Sequence, residues 1–283
     1  MKEIVNKQFQ EERALYNAKG VKLISCRFEG EEDGESALKE SSDFILEKCF
    51  MDLRYPIWHS KNVKLNEAVL TPNCRAAIWY CDSININNSK LHGIKALREC
   101  HNVKIDNTDI ISLEFGWKSS NIELNDCNFE GEYAFLDSKN IEIKRINFNG
   151  KYSFQYVKNM IIKDSKLKTK DAFWHSENVT VYDSLLEGEY LAWYSKNLTL
   201  VRCHIKGTQP LCYCNNLVLI DCTTEDCDLS FENSEVNGNI IGNIISIKNP
   251  RRGEIEVDSC DEIIYDNCNF ETLGVVKKKT LED

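Results

Sequence analysis

Residues able to perform acid–base chemistry are concentrated in the middle of the chain. The stretch KDAFWHSENVTV, residues 170–181, contains Asp171 and His175, and Asp137 lies in a related stretch upstream. Pairs of carboxyl groups catalyse glycoside hydrolysis, and histidine is the most frequent general acid or base. We therefore take Asp137, Asp171 and His175 as candidate catalytic residues of a carbohydrate-active hydrolase or lyase. Whether they can act together depends on the segments that position them.

Two further motifs allow other chemistry but are incomplete. The tripeptide NTD, residues 107–109, matches the first acidic motif of polygalacturonases, but the later acidic, histidine and arginine motifs of those enzymes are missing. The cysteines of CYC, residues 212–214, together with Cys222 and Cys227, have spacings seen in zinc sites. A zinc site needs four converging ligands, and the repeat described next already accounts for most of these cysteines as core residues. We expect no metal and no cofactor.

The chain repeats with a constant period. Seven asparagines follow one another at steps of 19 residues, and Ser83, Asn62 and Asp43 continue the series towards the N-terminus at steps of 19, 21 and 19. The seven are Asn102, Asn121, Asn140, Asn159, Asn178, Asn197 and Asn216. A short fixed period is typical of solenoids, in which a repeat buries its apolar face only by stacking on its neighbours.

Each repeat has the pattern of short strands and turns. The asparagine precedes an alternating apolar triplet, such as VTV at 179–181, which is typical of a strand with one buried face. Stacked coils bring equivalent residues about 4.8 Å apart, so the asparagines are expected to form a hydrogen-bonded ladder. We predict an all-β fold, a right-handed parallel β-helix of about 12 coils. The hexapeptide pattern of left-handed helices is absent.

The repeats also resemble a known class of proteins. The turn asparagine and the alternation after it are similar to the asparagine ladder of pectate-lyase-like β-helices. The coils FWHSENVTVYDS and EYLAWYSKNLTL resemble a bacterial family of unknown function built as a single-stranded β-helix. The resemblance implies this fold over nearly the whole chain and no established activity. Within a single domain, residues 1–283, we expect 1–18 to cap the first coil, 19–234 to form regular coils, and 235–283 to form irregular coils and a tail.

One position of the repeat contains every tryptophan of the chain. Four residues before the asparagine, or its equivalent, lie Trp58, Trp79, Trp117, Trp174 and Trp193. Small residues two positions to either side suit the inside of a narrow coil, so we expect the tryptophans to point inward. The aromatic-rich positions seven, five and three before the asparagine would then face outward. The opposite orientation, with the tryptophans exposed, remains open.

This aromatic segment is the second candidate site. A large exposed aromatic surface suggests a contact surface, and rings with a polar tip suit sugar rings, peptides and partner subunits. The candidate ligand-binding residues are Tyr133, Tyr152, Tyr156, Phe173, Trp174, Tyr190, Trp193 and Tyr194. Ladder geometry places Asp171 and His175 about 13 Å apart, too far for a direct pair. Three functions remain: binding of a carbohydrate-like ligand or a protein partner, carbohydrate hydrolysis or lysis, and self-association into a homo-oligomer.

Composition limits the partners and the compartment. The net charge of −10 argues against nucleic acid or an anionic membrane as the main partner. No apolar run reaches the roughly 18 residues of a membrane span, and the charged N-terminal segment lacks the pattern of a signal peptide. With 13 cysteines and no secretion signal, free thiols in a reducing compartment are expected. We therefore predict a cytoplasmic protein that binds neither nucleic acid nor membranes.

Overall fold

The computed structural model describes residues 1–32 and 34–279. Within these residues the chain contains strands and turns but no helix, and none of it could therefore cross a bilayer as a long apolar helix. The fold is a parallel β-solenoid of about 15 turns with a spacing near 19 residues, which confirms the predicted class and exceeds the predicted number of coils. The chain divides into two compact units, Met1–Glu142 and Ile143–Asp283. The single-domain interpretation stays a prediction.

The strands are short in the regular coils and longer towards the C-terminus. The first part of the chain contains β1 (Lys2–Val5), β2 (Gln8–Phe9), β3 (Val21–Ile24), β4 (Arg27–Phe28), β5 (Ser42–Glu47), β6 (Phe50–Met51), β7 (Ile57–Trp58), β8 (Lys61–Asn66), β9 (Val69–Leu70), β10 (Ile78–Trp79), β11 (Asp82–Asn87), β12 (Lys90–His92), β13 (Leu97–Arg98), β14 (His101–Asp106) and β15 (Asp109–Ile111). The remainder contains β16 (Ser120–Asn125), β17 (Asn128–Glu132), β18 (Lys139–Lys144), β19 (Asn147–Lys151), β20 (Lys158–Lys163), β21 (Lys166–Lys170), β22 (Glu177–Tyr182), β23 (Leu185–Glu187), β24 (Lys196–Val201), β25 (His204–Lys206), β26 (Asn215–Glu225), β27 (Val236–Lys248), β28 (Glu254–Ile264) and β29 (Val275–Lys278).

Parallel pairing places the same position of successive repeats side by side. In the first unit, β5, β8, β11, β14 and β16 stack in this order. In the second unit, β20, β22, β24 and β26 do the same, and Val179 lies opposite both Met160 and Leu198. A position in the repeat therefore becomes a column running through each unit.

Both ends of the chain contain paired strands. Residues 1–18, which were expected to cap the first coil, contain β1 and β2, and these pair in register with β3 and β4. Near the C-terminus, where irregular coils were expected, residues 254–264 form β28, which pairs with β27 and β29. A register shift interrupts each pairing of β27, which explains why the repeat spacing fails there. Residues 280–283 of the predicted tail lie outside the described residues.

The core consists of columns of apolar and small side chains. In one coil Val179, Val181 and Leu186 are buried, and Ser184 occupies the small position. Twelve of the cysteines are buried as free thiols, which confirms that they pack as small core residues. Cys268 is the exception and is exposed.

The predicted asparagine ladder is confirmed. In the second unit the side-chain amide of Asn178 donates to Asn159 at 3.1 Å, and that of Asn197 donates to Asn178 at 2.8 Å. These residues have φ between 54° and 57°, in the left-handed region that asparagine tolerates better than most residues. The asparagine is therefore favoured both for its backbone conformation and for its side-chain hydrogen bonds.

Candidate ligand-binding site

The segment before each ladder asparagine is a turn of alternating backbone conformation. In the coil of Asn178, the residues Asp171, Phe173 and His175 have φ of 52°, 61° and 54°. Bulky residues rarely adopt such angles. Here the same angles recur at the equivalent positions of the next coil, Tyr190 to Tyr194, so they belong to the architecture rather than to one strained site.

Hydrogen bonds between coils hold this conformation. The N–H groups of Asp171 and His175 donate to carbonyl oxygens of the following coil, at 2.9 and 3.0 Å. The N–H group of Phe173 donates in the opposite direction, to Ser153 of the preceding coil at 3.0 Å. Because every second residue is in the left-handed region, the side chains do not alternate as they would on a strand.

The orientation of the segment therefore differs from the prediction. Ala172 and Phe173 are both buried, Trp174 is partly exposed and His175 is exposed. Phe173 is 1% exposed and stacks on Phe154 at a centroid distance of 5.0 Å. The expectation that the tryptophans point into the core is wrong, as is the outward placement of Phe173, which is a core residue and unavailable to a ligand.

Two tryptophans form one wall of a surface groove. The rings of Trp174 and Trp193 are parallel within 4°, with centroids 5.4 Å apart. Their indole N–H groups donate to the carbonyl oxygens of Tyr190 and Gln209 at 2.7 and 2.8 Å. These bonds attach each ring to the next coil, so the wall is held rigidly.

Asp171 interrupts a column of tyrosines beside this wall. Tyr152, Asp171 and Tyr190 occupy the same position in three consecutive coils, with φ of 58°, 52° and 56°. The short carboxyl side chain leaves the space that a third ring would fill. An open groove of about 500 Å³ lies there. This groove, called the Asp171 groove below, is lined by Tyr152, Lys170, Asp171, Trp174, Tyr190, Trp193 and Gln209.

Asp171 is a buried residue whose carboxyl group lines the groove and has no hydrogen-bond donor among the described residues. The residue is 7% exposed. Burial raises the pKa of Asp171, and the charge of Glu189 raises it further, while Lys170 opposes the shift. The ammonium group of Lys170 instead forms an ion pair with Glu189 at 3.0 Å.

Lysine ammonium groups lie over both tyrosines of the column. Lys170 Nζ is 5.4 Å from the ring centroid of Tyr190. Lys151 Nζ is 5.5 Å from that of Tyr152. Such distances are typical of cation–π contacts, in which the negative face of the ring attracts a positive charge.

His175 belongs to a different structure, a column of stacked rings. Its imidazole lies 4.9 Å from the ring of Tyr156 and 5.0 Å from that of Tyr194, with interplanar angles of 11° and 8°. Tyr213 continues the column beyond Tyr194 at 4.9 Å. This ring column, formed by Tyr156, His175, Tyr194 and Tyr213, does not line the Asp171 groove.

The structure thus brings together only part of the predicted site. Five of the predicted residues meet at the groove: Tyr152, Asp171, Trp174, Tyr190 and Trp193. Tyr133 and Asp137 belong to the first unit, where both are exposed. Lys170 and Gln209, absent from the sequence-based set, also line the groove. Gln209 follows Tyr190 at the next repeat of the same column, so the repeat alone was sufficient to find it.

The groove is suited to binding rather than to proton relay. It contains one carboxylate among the described residues that line it, surrounded by aromatic rings. Within residues 1–32 and 34–279, no three His, Cys, Asp or Glu side chains are grouped to hold a metal ion. The geometry supplies apolar walls and a single buried acceptor.

Three solved structures show a distant similarity to this chain. The surface protein and adhesin PfbA of Streptococcus pneumoniae is 9% identical with a TM-score of 0.32, covering 97% of this chain and 91% of that one. A family 28 exopolygalacturonase of Yersinia enterocolitica is 10% identical with a TM-score of 0.26, covering 99% and 73%. The fluoroquinolone resistance protein QnrB1 is 14% identical with a TM-score of 0.17, covering 77% and 88%. Scores this low support no conclusion about function.

Sequence comparison is more decisive about the family. No curated protein matches the chain. A family model described as a protein of unknown function, DUF3737, matches residues 2–275. The chain therefore belongs to the DUF3737 family, in agreement with the resemblance seen in its repeats.

Proposed function

We propose that the protein binds a carbohydrate-like ligand in the Asp171 groove. The observation that carries this proposal is the gap that Asp171 leaves between Tyr152 and Tyr190. Two coil steps separate these tyrosines, or about 9.6 Å at the usual strand spacing. A group one ring thick therefore fits between them and contacts both.

The chemistry of the lining suits a sugar ring. Aromatic side chains pack against the apolar C–H surfaces of a sugar and hydrogen-bond at their polar tips. Ligand sites commonly combine such apolar walls with a few polar groups that fix orientation. Asp171 supplies an acceptor with several free lone pairs, and hydroxyl donors from a ligand would satisfy it.

Binding is better supported than hydrolysis. Glycoside hydrolysis ordinarily uses two carboxyl groups on either side of the bond, whereas the described lining of the groove contains Asp171 alone. His175, the predicted partner, lies between the rings of Tyr156 and Tyr194. Its imidazole faces are therefore covered, and it does not line the groove.

A substitution that fills the gap tests the proposal. Asp171→Tyr places in the groove the residue that the column has one coil before and one coil after, where tyrosine adopts φ of 58° and 56°. The variant should fold. A panel of neutral and charged mono- and oligosaccharides is titrated by calorimetry and by tryptophan fluorescence. We expect the wild-type protein to bind a member of the panel and Asp171→Tyr to lose this binding.

His175→Tyr is the matched control. It makes the same kind of replacement in the ring column, between Tyr156 and Tyr194, and leaves the groove unchanged. Its affinity should equal that of the wild-type protein. If Asp171→Tyr binds as tightly as wild type, the groove is not the site. If no member of the panel binds to the wild-type protein, the proposed ligand class is wrong.

The ring column favours self-association as a second candidate function. Tyr156 and Tyr194, on either side of His175, are 49% and 45% exposed, which is high for aromatic side chains of one column. Tyr194→Ser should shift a dimer towards monomer in light scattering. A wild-type protein that stays monomeric at high concentration excludes this candidate and leaves the groove proposal unaffected.

A further inference from the structure

We infer that the ligand of the Asp171 groove carries a positive charge directly on its ring, as a protonated amino sugar does. This inference rests on the proposed function and specifies the ligand class. Three features of the second unit support it: the buried carboxylate, the pairing of the neighbouring lysine, and the cations already present on the tyrosine rings.

The charges around the groove leave Asp171 without a directly bonded cation. Lys170 forms its ion pair with Glu189 at 3.0 Å, and its charge acts on Asp171 without a hydrogen bond between the two side chains. Asp171 is 7% exposed and has no hydrogen bond from a described group. A buried ion is costly unless a counter-charge or several hydrogen bonds compensate it. A ligand with an ammonium group compensates Asp171 better than a neutral sugar does.

The tyrosines on either side of Asp171 are suited to the same charge. Lys170 and Lys151 place their ammonium groups over Tyr190 and Tyr152 at cation–π distance. The chain itself therefore shows that both rings accept a cation at this surface. An ammonium group inserted between the tyrosines would contact the carboxylate at the base of the gap and the ring faces at its sides.

The size of the gap indicates where on the ligand the positive charge lies. The gap is one ring thick and Asp171 forms its base, since the tyrosines on either side are longer side chains. A charge on a long flexible arm would not require the ring-sized space. In a sugar with an amine attached directly to the ring, the ring fills the gap and the amine pairs with the carboxylate.

Three sugars of the same ring size test the inference. Glucosamine, N-acetylglucosamine and glucose are titrated into the wild-type protein by calorimetry slightly below neutral pH, where the free amine is protonated. A hydroxyl group can also donate to the carboxylate, but an ammonium group adds an opposite charge to the hydrogen bond. We therefore expect glucosamine to bind roughly tenfold more tightly than the two neutral sugars.

Two variants change the charge of the groove in opposite directions. Asp171→Asn keeps the size of the side chain and tolerates the left-handed backbone, and it should weaken glucosamine binding far more than glucose binding, so that the preference for glucosamine disappears. Lys170→Met removes a competing cation and should tighten glucosamine binding. Glu187→Gln is the control, because Glu187 is an acid that pairs with Lys168 at 3.1 Å and does not line the groove.

The outcomes separate this inference from the proposed function. If glucose and glucosamine bind equally and Asp171→Tyr abolishes both, the groove binds sugars and the inference about charge is wrong. If Lys170→Met weakens glucosamine binding, the groove does not select a cation. If glucosamine alone binds, and Asp171→Asn eliminates it while Glu187→Gln does not, the inference holds. If no sugar binds to the wild-type protein, both proposals fail.

Discussion

Asn178 stabilises its coil in two ways that a pair of substitutions can separate. Its side-chain Nδ2 donates to Asn159 at 3.1 Å, and its side-chain Oδ1 accepts from Asn197 at 2.8 Å. Its backbone has φ of 56°, in the left-handed region. Asn178→Ala removes both hydrogen bonds and places a residue with poor tolerance for this φ in the turn. Asn178→Gly removes the same hydrogen bonds but accepts the backbone conformation.

The expected magnitudes follow from these contacts. Each exposed hydrogen bond contributes about 0.5–1 kcal/mol, at the lower end of the usual range. The left-handed conformation costs alanine about 1–2 kcal/mol. Asn178→Ala should therefore lower the free energy of unfolding by about 2–4 kcal/mol. Asn178→Gly should be about 1 kcal/mol more stable than Asn178→Ala, because its greater freedom in the unfolded chain offsets only part of its advantage.

Urea unfolding followed by circular dichroism and by tryptophan fluorescence measures the difference. Coils of a repeat protein can unfold separately, so the two transitions must coincide before a single free energy is assigned. Asn147→Ala is the control, since Asn147 is exposed on β19 with φ outside the left-handed region. It should change stability by less than about 0.5 kcal/mol.

Two results would refute the reasoning. If Asn178→Ala costs no more than Asn147→Ala, the ladder hydrogen bonds do not stabilise the solenoid. If the glycine and alanine variants are equally stable, the left-handed conformation is not what favours asparagine at this position.

Three further predictions concern the core, the thiols and the groove. Phe173→Ala should lower the free energy of unfolding by about 3–5 kcal/mol, because the ring is 1% exposed; a loss below 1 kcal/mol, measured in urea, would contradict its core position. Native protein should react with one equivalent of a thiol reagent, at the exposed Cys268, and Cys268→Ser should not react; rapid labelling of more thiols would show that the other cysteines are accessible. Burial raises the pKa of Asp171 in the folded state above its value of about 4 in the unfolded chain. As the pH rises from about 4 through the folded pKa, ionisation of Asp171 therefore lowers the free energy of unfolding. Asp171→Asn should therefore melt at a higher temperature than wild type at neutral pH, with a difference that narrows towards pH 4; a difference independent of pH would contradict this.

The candidate site was only partly predictable. The repeat places Tyr152, Asp171 and Tyr190 in one column, since parallel stacking brings equal positions together whatever the side chains are. The exception in that column, an acid between two tyrosines, is visible in the sequence. The sequence does not show that Asp171 and His175 lie on different surfaces, because its alternation places both residues on one face of a strand.

The sequence by itself determined the parallel solenoid, the asparagine ladder and the membership of most columns, because each depends on a period that every coil repeats. Only the tertiary structure decided which side chains are exposed. The backbone alternates into the left-handed region before each ladder asparagine, as at Phe173 with φ of 61°, and this removes the two-residue alternation that sequence patterns assume. Ala172 and Phe173 consequently both enter the core, and Trp174 turns outward to form a wall of the groove. That conformation is held by hydrogen bonds to the coils on either side, so no pattern within a single repeat reveals it.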